Sequence, residues 1–261
     1  MNVPETGLLT IFTDRDTQKA VILSLFGIFL VIEKYFAWRK DEPEAKKKSY
    51  SVNLLIFVFN DIFLSLLSVS SLLMIADRYS EYGLLHTMRN GFLKTFLVFI
   101  LLDATLYFWH RERHARPFLW MFHKVHHSDL CMNTATTFRL HFVEVFLTTV
   151  VKSIFIVLVG VPAVLVLFCE MFITVIVMFN HSNISFRGEK MLGKVFIVPC
   201  KHVVHHSSIG SEQHMNFGFA LSVWDRLLGT CKKTVPLALG LHNMEEQGVF
   251  DTILLRFKRK G

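Results

Sequence analysis

Four long apolar runs dominate the chain, and their lengths predict membrane-spanning helices. About 20 helical residues cross the hydrocarbon core of a bilayer. The runs 20–38, 52–76 and 91–109 have roughly this length and predict three spans. The fourth run, 145–179, is too long for one span and contains a Gly-Val-Pro sequence at 160–162. Because proline interrupts a helix, this run predicts a hairpin of two antiparallel helices that enters and leaves on one side.

The composition agrees with a membrane protein. Of the 261 residues, 52% are hydrophobic, and the mean hydropathy is +0.43. The four cysteines form no CxxC pair, so neither a disulfide framework nor a thiolate zinc site is expected. The first apolar run has no basic segment before it and no clear cleavage site, so we expect it to be retained. The predicted fold class is all-α: a polytopic membrane helical bundle of three spans plus the hairpin, with a helical cap on the cytoplasmic side.

The distribution of basic residues predicts which side of the membrane each loop occupies. The loop between the first two spans carries Arg39, Lys40, Lys46, Lys47 and Lys48. By the positive-inside rule this loop is cytoplasmic. Counting crossings then places loop 77–90 outside and returns the chain to the cytoplasm before residue 110. Glu33 and Lys34, at the end of the first run, are expected to extend toward the headgroups. The net charge of +7 is not gathered on a soluble module, so nucleic-acid binding is not expected.

Eight of the thirteen histidines fall into three short groups with helical spacing. These histidines are His110 and His114; His123, His126 and His127; and His202, His205 and His206. Offsets of three and four residues place the members of a group on one helix face. Neutral imidazole is the commonest nitrogen ligand for iron, zinc and copper. Eight imidazoles exceed the coordination number of one ion, so the groups predict two metal ions.

Other polar residues near these groups are candidates for orienting the ligands. Asp103, about two helical turns before His110, is expected to hydrogen-bond the second nitrogen of a ligand. Glu144, at the start of the hairpin, is expected to do the same. His141 is a candidate for a structural or ligand-orienting residue, and His214 for either a tenth ligand or a donor to one. Glu170 is expected to pair with a lysine or serine of another helix.

The order of the histidine groups and the residues around them resembles the fatty acid hydroxylase/sterol desaturase superfamily. The resemblance covers roughly residues 95–231. Besides the histidine groups, it includes Asp103-x-x-x-Tyr107-x-x-His110-Arg111, Leu119-Trp120, Arg139-x-His141-x-x-Glu144, Asn180-His181-Ser182-Asn183, Asn216-Phe217-Gly218 and Trp224-Asp225-Arg226. Two positions depart from the family pattern: Phe142 stands where the family usually has proline, and His214 where it often has aspartate.

The resemblance implies a membrane-embedded non-haem di-iron oxygenase that hydroxylates an unactivated C–H bond of a lipid. It adds His181 to the eight grouped histidines, giving nine expected ligands. It also implies two iron ions, for which zinc could substitute, and O₂. Two electrons would come from a separate donor, either cytochrome b5-like or ferredoxin-like with its reductase. We expect membrane helices over 1–94, the catalytic region over 95–231 and a basic tail over 232–261. The expected location is a bacterial inner membrane or the endoplasmic reticulum, with the site on the cytoplasmic side.

Other functions remain open at this point. A lipid or sterol desaturase would use the same site, because both reactions begin by removing a hydrogen. A divalent-metal transporter would need polar residues at the midplane of several spans, and these spans are nearly apolar. A hydrolytic zinc enzyme would need a general-base glutamate, as in HExxH, and that motif does not occur. The hydroxylase is therefore the favoured hypothesis.

Overall fold

The computed structural model describes residues 15–64 and 69–258, and every named element of this part is a helix. The predicted all-α class is therefore confirmed. Residues 1–14, 65–68 and 259–261 lie outside the described part, together with the corresponding portions of the predicted run 52–76 and of the basic tail.

Within the described residues, seven helices of eleven or more residues form the body of the protein. They are α1 (Arg15–Phe36), α2 (Pro43–Leu64), α3 (Val69–Tyr79), α4 (Phe92–Ala115), α5 (Pro117–His127), α6 (Phe142–Val159) and α7 (Ala163–His181). The remaining described helices are short: a 3-10 turn (Thr134–Phe138), α8 (Glu189–Leu192), α9 (Pro199–His205), α10 (Gly210–Gln213), α11 (Val223–Leu227) and α12 (Val249–Ile253).

Three of the described helices, α4, α6 and α7, are long and apolar enough to cross a membrane. They correspond to the predicted third span and to the two arms of the predicted hairpin. Helices α1 and α2 occupy the first two predicted spans but are not apolar enough to be counted as membrane-spanning. The reason is their charged residues, since α1 contains Lys19, Glu33 and Lys34, and α2 begins with a lysine-rich turn. The second predicted span is described as two helices, α2 and α3.

The loop between α3 and α4 covers the tip of the hairpin. The backbone N–H groups of Leu84 and Leu85 donate to the carbonyls of Leu158 and Val159, at 2.8 and 2.7 Å. At this contact a Cβ on Gly83 would lie 1.8 Å from the backbone nitrogen of Gly160, so only glycine fits. The loop and the hairpin tip therefore lie at the same end of the bundle, as the count of crossings predicts. An apolar core joins α3, α4, α6 and α7 and includes Leu72, Ala76, Val98, Leu102, Phe155, Ile156, Val166 and Ile173.

The histidine-bearing segments lie at the opposite end of the bundle, and the basic segment from Arg39 to Lys48, which includes the first turns of α2, contacts residues that follow them. The Arg39 guanidinium donates to the Met132 carbonyl, and the Lys48 ammonium donates to the Glu246 carbonyl at 2.8 Å. The basic segment and the histidines therefore share one side, as the crossing count requires. That this side is cytoplasmic stays a prediction.

The prediction for Glu33 is wrong. Its side chain is only 1% exposed and turns into the protein rather than toward the headgroups. One carboxylate oxygen accepts from the backbone N–H groups of Thr134 (2.9 Å) and Asn183 (2.5 Å), and the other accepts from the Tyr50 hydroxyl. The physical reason is that buried backbone donors need acceptors. Lys34 is exposed beside the ring of Tyr35.

Candidate metal centre

Nine buried histidines assemble into two neighbouring groups. The five-histidine group consists of His110, His114, His123, His127 and His205. The four-histidine group consists of His126, His181, His202 and His206. Within each group, one ring nitrogen from every member lies within 4.8 Å of the others. These are the nine residues singled out as expected ligands in the sequence.

Four helices deliver the histidines, and adjacent residues serve different groups. Helices α4, α5, α7 and α9 all end at this site. His126 and His127 are consecutive on α5, yet they belong to different groups, because consecutive helical residues point about 100° apart. The ring of His127 stacks on that of His206 with centroids 4.5 Å apart, so the two groups lie side by side.

Hydrogen bonds from the second ring nitrogen to a backbone carbonyl fix the orientation of three histidines. Nδ1 of His110 lies 2.8 Å from the carbonyl of Phe217, and Nδ1 of His205 lies 2.8 Å from that of Met215. Nδ1 of His181 lies 2.7 Å from the Val177 carbonyl. A carbonyl can only accept, so each of these Nδ1 atoms carries the proton and each Nε2 offers a lone pair. This is the arrangement that metal-ligating histidines usually show.

Facing lone pairs in the five-histidine group fit a metal ion. The Nε2 atoms of His110 and His205 are 2.9 Å apart, although neither carries a proton in the neutral ring. Such a contact is repulsive unless a cation lies between the nitrogens. Several other ring nitrogens are buried without a hydrogen-bond partner, namely both of His114, His127 and His206, and Nδ1 of His126 and His202. An all-imidazole donor set suits iron, zinc or copper.

Burial keeps the histidines in the neutral form that binds metals. Burial, and then the neighbouring imidazoles, lower the pKa well below the usual value at five positions outside the membrane helices: His126, His127, His202, His205 and His206. A low pKa means that protons compete poorly for these nitrogens at neutral pH.

Glu144 lies where the sequence analysis expected it, behind a candidate ligand. Its Oε1 accepts from Nδ1 of His123 at 2.7 Å and also from the guanidinium of Arg113. Both side chains of the Glu144–Arg113 pair are at most 6% exposed. Arg113, inside HRERH, was not singled out in the sequence, because an arginine on an apolar helix gives no indication of a buried partner 31 residues later.

The expected bond between Asp103 and a histidine is wrong. Its carboxylate accepts instead from the backbone N–H groups of Ala220 (2.9 Å) and Leu221 (3.1 Å) and from the indole of Trp224 (2.8 Å). Asp103 thereby fixes the loop whose Phe217 carbonyl orients His110. The N–H groups of Ala220 and Leu221 have no acceptor in a helix of their own. Asp103 supplies that acceptor, and it therefore does not bond the ring of His110.

His141 and His214 lie outside both groups. Nδ1 of His141 accepts from the Val143 N–H at 3.2 Å and caps α6, and its Nε2 lies 3.1 Å from the Ile253 carbonyl. His141 therefore ties α6 to the C-terminal segment and does not hydrogen-bond a candidate ligand. His214 is exposed, and its ring centroid lies 5.6 Å from that of His114.

A buried polar network that the sequence analysis missed supports the second histidine segment. Arg139 is fully buried and donates to the Val125 carbonyl, the Ser128 hydroxyl and the Glu246 carboxylate. Asp129 accepts from Asn53, Ser49 and Thr136. The network therefore holds the chain on both sides of His127 with groups drawn from α2 and from the C-terminal segment.

A cavity of about 250 Å³ connects both histidine groups with the interior of the hairpin. His110 and His123 line it from one group, and His126, His181 and His202 from the other. Farther from the histidines, its walls are formed by α6 and α7, and they include Thr148, Lys152, Glu170, Ile173, Thr174 and Val177.

The chain is an all-helical membrane protein in which nine histidines gather at the ends of its helices. Comparison with known proteins identifies the family to which it belongs. The Fatty acid hydroxylase family model matches residues 95–230, more than half of the chain. The chain belongs to this family.

Three relatives illustrate the similarity. Ornithine lipid hydroxylase OlsE of Rhizobium tropici is 29% identical over 165 residues, which is 62% of this chain and 50% of that protein. Alkylglycerol monooxygenase of Danio rerio is 28% identical over 137 residues, 51% of this chain and 29% of that protein. The Caenorhabditis elegans protein of the same name is 26% identical over 162 residues, 59% and 30% of the two chains. The chain thus spans half or less of the length of these relatives. No solved structure matches the chain.

Proposed function

We propose that this protein is a membrane di-iron oxygenase that hydroxylates an unactivated C–H bond of a lipid. One observation carries the proposal: a single cavity touches both histidine groups and continues between two apolar membrane helices. A lipid chain in this cavity would lie inside the bilayer region with one carbon beside both groups. The names of the relatives, a lipid hydroxylase and alkylglycerol monooxygenases, support a reaction of this type.

The nine histidines are the proposed iron ligands, five for one ion and four for the other. Two bound irons would supply the redox chemistry that activates O₂ toward a C–H bond. The overall reaction takes up O₂, two electrons and two protons, and it yields an alcohol and one water. The electrons are proposed to come from a separate cytochrome b5-like or ferredoxin-like donor on the cytoplasmic side.

The protein's own contribution is to orient the ligands and to keep water out. Glu144 accepts the Nδ1–H of His123 and so directs Nε2 of that ring into the five-histidine group. The carbonyls of Phe217 and Met215 direct His110 and His205 in the same way. Phe138, Leu140 and Phe219 line the cavity beside the histidines and give an apolar surface for the chain.

Metal content measured on single-histidine variants tests the proposal. Wild-type protein, purified in detergent from iron-supplemented cells, should contain about two metal ions per chain. His205→Ala and His126→Ala each remove a ligand from a different group, so each should lower the content by about one ion. His242→Ala is the matched control, because His242 is exposed and belongs to neither group. Unchanged metal content in both variants would contradict the ligand assignment.

Activity is tested separately with ¹⁸O₂, a reductant and a donor protein on membrane lipids. A product that has gained one ¹⁸O atom supports hydroxylation. A product that has lost two hydrogens without gaining oxygen would identify a desaturase instead. Metal binding without either product would leave the centre in place but refute the proposed reaction.

A further inference from the structure

Only two charged side chains occur in the hairpin between residues 145 and 179, and they contact each other. Lys152 on α6 and Glu170 on α7 form an ion pair, with 2.8 Å between Nζ and Oε2. Lys152 lies ten residues into an 18-residue helix, near the middle of the predicted membrane-spanning segment. Charged groups at that depth are costly, and they usually mark a functional site.

Stability alone explains this pair poorly. Replacing a buried ion pair by apolar residues is often neutral or stabilising, because the desolvation of the two charges offsets their attraction. The two side chains are 17% and 18% exposed, and both line the cavity that reaches the histidines. The pair is therefore in contact with whatever occupies the cavity.

The pair lies between the 250 Å³ cavity that reaches the histidines and a much smaller cavity. The smaller cavity, about 10 Å³, is also lined by Lys152 and Glu170, and its other walls include Val98, Phe155, Val161 and Val166. These apolar residues belong to the core near the hairpin tip. A chain that extended beyond the pair would have to separate two partly buried opposite charges before it reached this space.

The distance from the histidines to the pair follows from the helix rise. Lys152 is eight residues beyond Glu144 on α6, or about 12 Å at 1.5 Å per residue. Glu170 is eleven residues before His181 on α7, or about 16 Å. Residues 144, 148 and 152 on α6, and 170, 174, 177 and 181 on α7, recur at helical spacing, so each helix presents one stripe to the cavity.

We propose that the Lys152–Glu170 ion pair is the floor of the substrate cavity and sets how far an unbranched alkyl or acyl chain extends past the histidine groups. The two charges neutralise each other, so neither is free to bind the end of the substrate chain. The pair therefore blocks the substrate chain and does not bind it. The carbon beside the histidines would then be fixed by its distance from the methyl end of the chain. This inference rests on the proposed function, since it assumes that the cavity receives the substrate.

Binding of a homologous series of 1-alkanols, from octanol to octadecanol, tests the floor without requiring turnover. The readout is the affinity of the purified full-length protein, obtained from the shift of its thermal unfolding midpoint. Each added methylene that is buried should raise affinity about fourfold. In the wild-type protein this increase should stop at the length at which the chain reaches the pair.

Variants at and near the floor should move this limit in opposite directions. Lys152→Ala combined with Glu170→Ala joins the two cavities, so the increase should continue for at least two further methylenes. Thr174→Leu adds bulk one turn nearer the histidines and should stop the increase at a shorter chain. Thr174 suits this change because its hydroxyl bonds only its own helix, at the Glu170 carbonyl. Lys258→Ala, which removes an exposed ion pair with Asp251, is the matched control and should bind like wild type.

Several outcomes would refute the proposal that the ion pair is the cavity floor. One is an affinity that keeps rising with alkanol length in the wild-type protein. Another is a limiting alkanol length that is the same in the double alanine variant as in the wild type. Tighter binding of α,ω-diols than of alkanols at the limiting length would show that the charges recognise a polar group instead. If the double alanine variant does not fold, an unchanged limit in Thr174→Leu refutes the proposal. Failure of the proposed function would appear as absent metal or absent product, neither of which this binding series measures.

Discussion

The variant Glu144→Gln separates two contributions of one carboxylate. Glutamine keeps the size of the side chain but removes the negative charge that faces Arg113. Removing one partner of a buried ion pair costs about 3–5 kcal/mol, because the other charge stays buried and uncompensated. The amide oxygen also accepts more weakly from Nδ1 of His123. Loss of such a partner typically weakens metal binding about 10- to 100-fold.

Two measurements follow these effects independently: the thermal unfolding midpoint in detergent, and metal retention during titration with a chelator. A second change, Arg113→Met, tests the reasoning, because it removes the uncompensated charge and retains an apolar side chain. Glu144→Gln combined with Arg113→Met should recover most of the lost stability but none of the lost metal affinity. The loss of metal should be confined to one ion, since His123 belongs to the five-histidine group alone. Undiminished metal affinity in Glu144→Gln, or lower stability in the double variant than in the single one, would refute this account.

Two further predictions concern residues far from the histidines. Gly83→Ala should abolish the folded protein, because its Cβ would lie 1.8 Å from the backbone nitrogen of Gly160. The control is Gly27→Ala, whose new Cβ has no atom within 4 Å. The yield of folded protein in size-exclusion chromatography should be lost in the first variant and unchanged in the second. Glu33→Ala removes the acceptor of two buried backbone N–H groups and should cost about 1–3 kcal/mol for each. The unfolding midpoint should therefore fall far more in Glu33→Ala than in Lys34→Ala, whose side chain is exposed, and equal midpoints would contradict the assigned hydrogen bonds.

The helical spacing of the histidines predicted that eight of the nine gather, and the family resemblance added His181, but neither indicated how the nine divide into two groups. His126 and His127, like His205 and His206, are sequence neighbours that enter different groups, and only the tertiary arrangement of α5, α7 and α9 decides which ring faces which group. The partner of Asp103 lies 117 residues away, in a loop with no regular pattern. Distances of this kind depend on the tertiary fold, which local periodicity does not specify.

Residues outside the region matched by the family also help to hold the histidine-bearing segments, again through contacts that are distant in sequence. Glu33 lies before the region matched by the family, residues 95–230, and Glu246 lies after it. Both supply carboxylates to buried donors in segments that carry histidines: Glu33 to the N–H of Asn183, and Glu246 to the N–H of Leu130 and the guanidinium of Arg139. The segments that follow the histidine-bearing helices α5 and α7 are loops with few backbone bonds of their own, so their geometry depends on acceptors from elsewhere.

A comparison of two charge-removing variants tests this dependence. Glu246→Gln, like Glu144→Gln, leaves a buried arginine without its carboxylate, but Arg139 retains Asn53 as an acceptor and interacts electrostatically with Asp129. Its loss of stability should therefore be smaller than the 3–5 kcal/mol expected when a buried charge loses its only counter-ion. Metal affinity should fall in the same variant, because the Leu130 N–H three residues after His127 loses a charged acceptor. Glu245→Gln, at an exposed neighbouring position, is the control for both measurements. If Glu246→Gln matched that control in metal affinity, the C-terminal segment would pack beside the histidines without holding them.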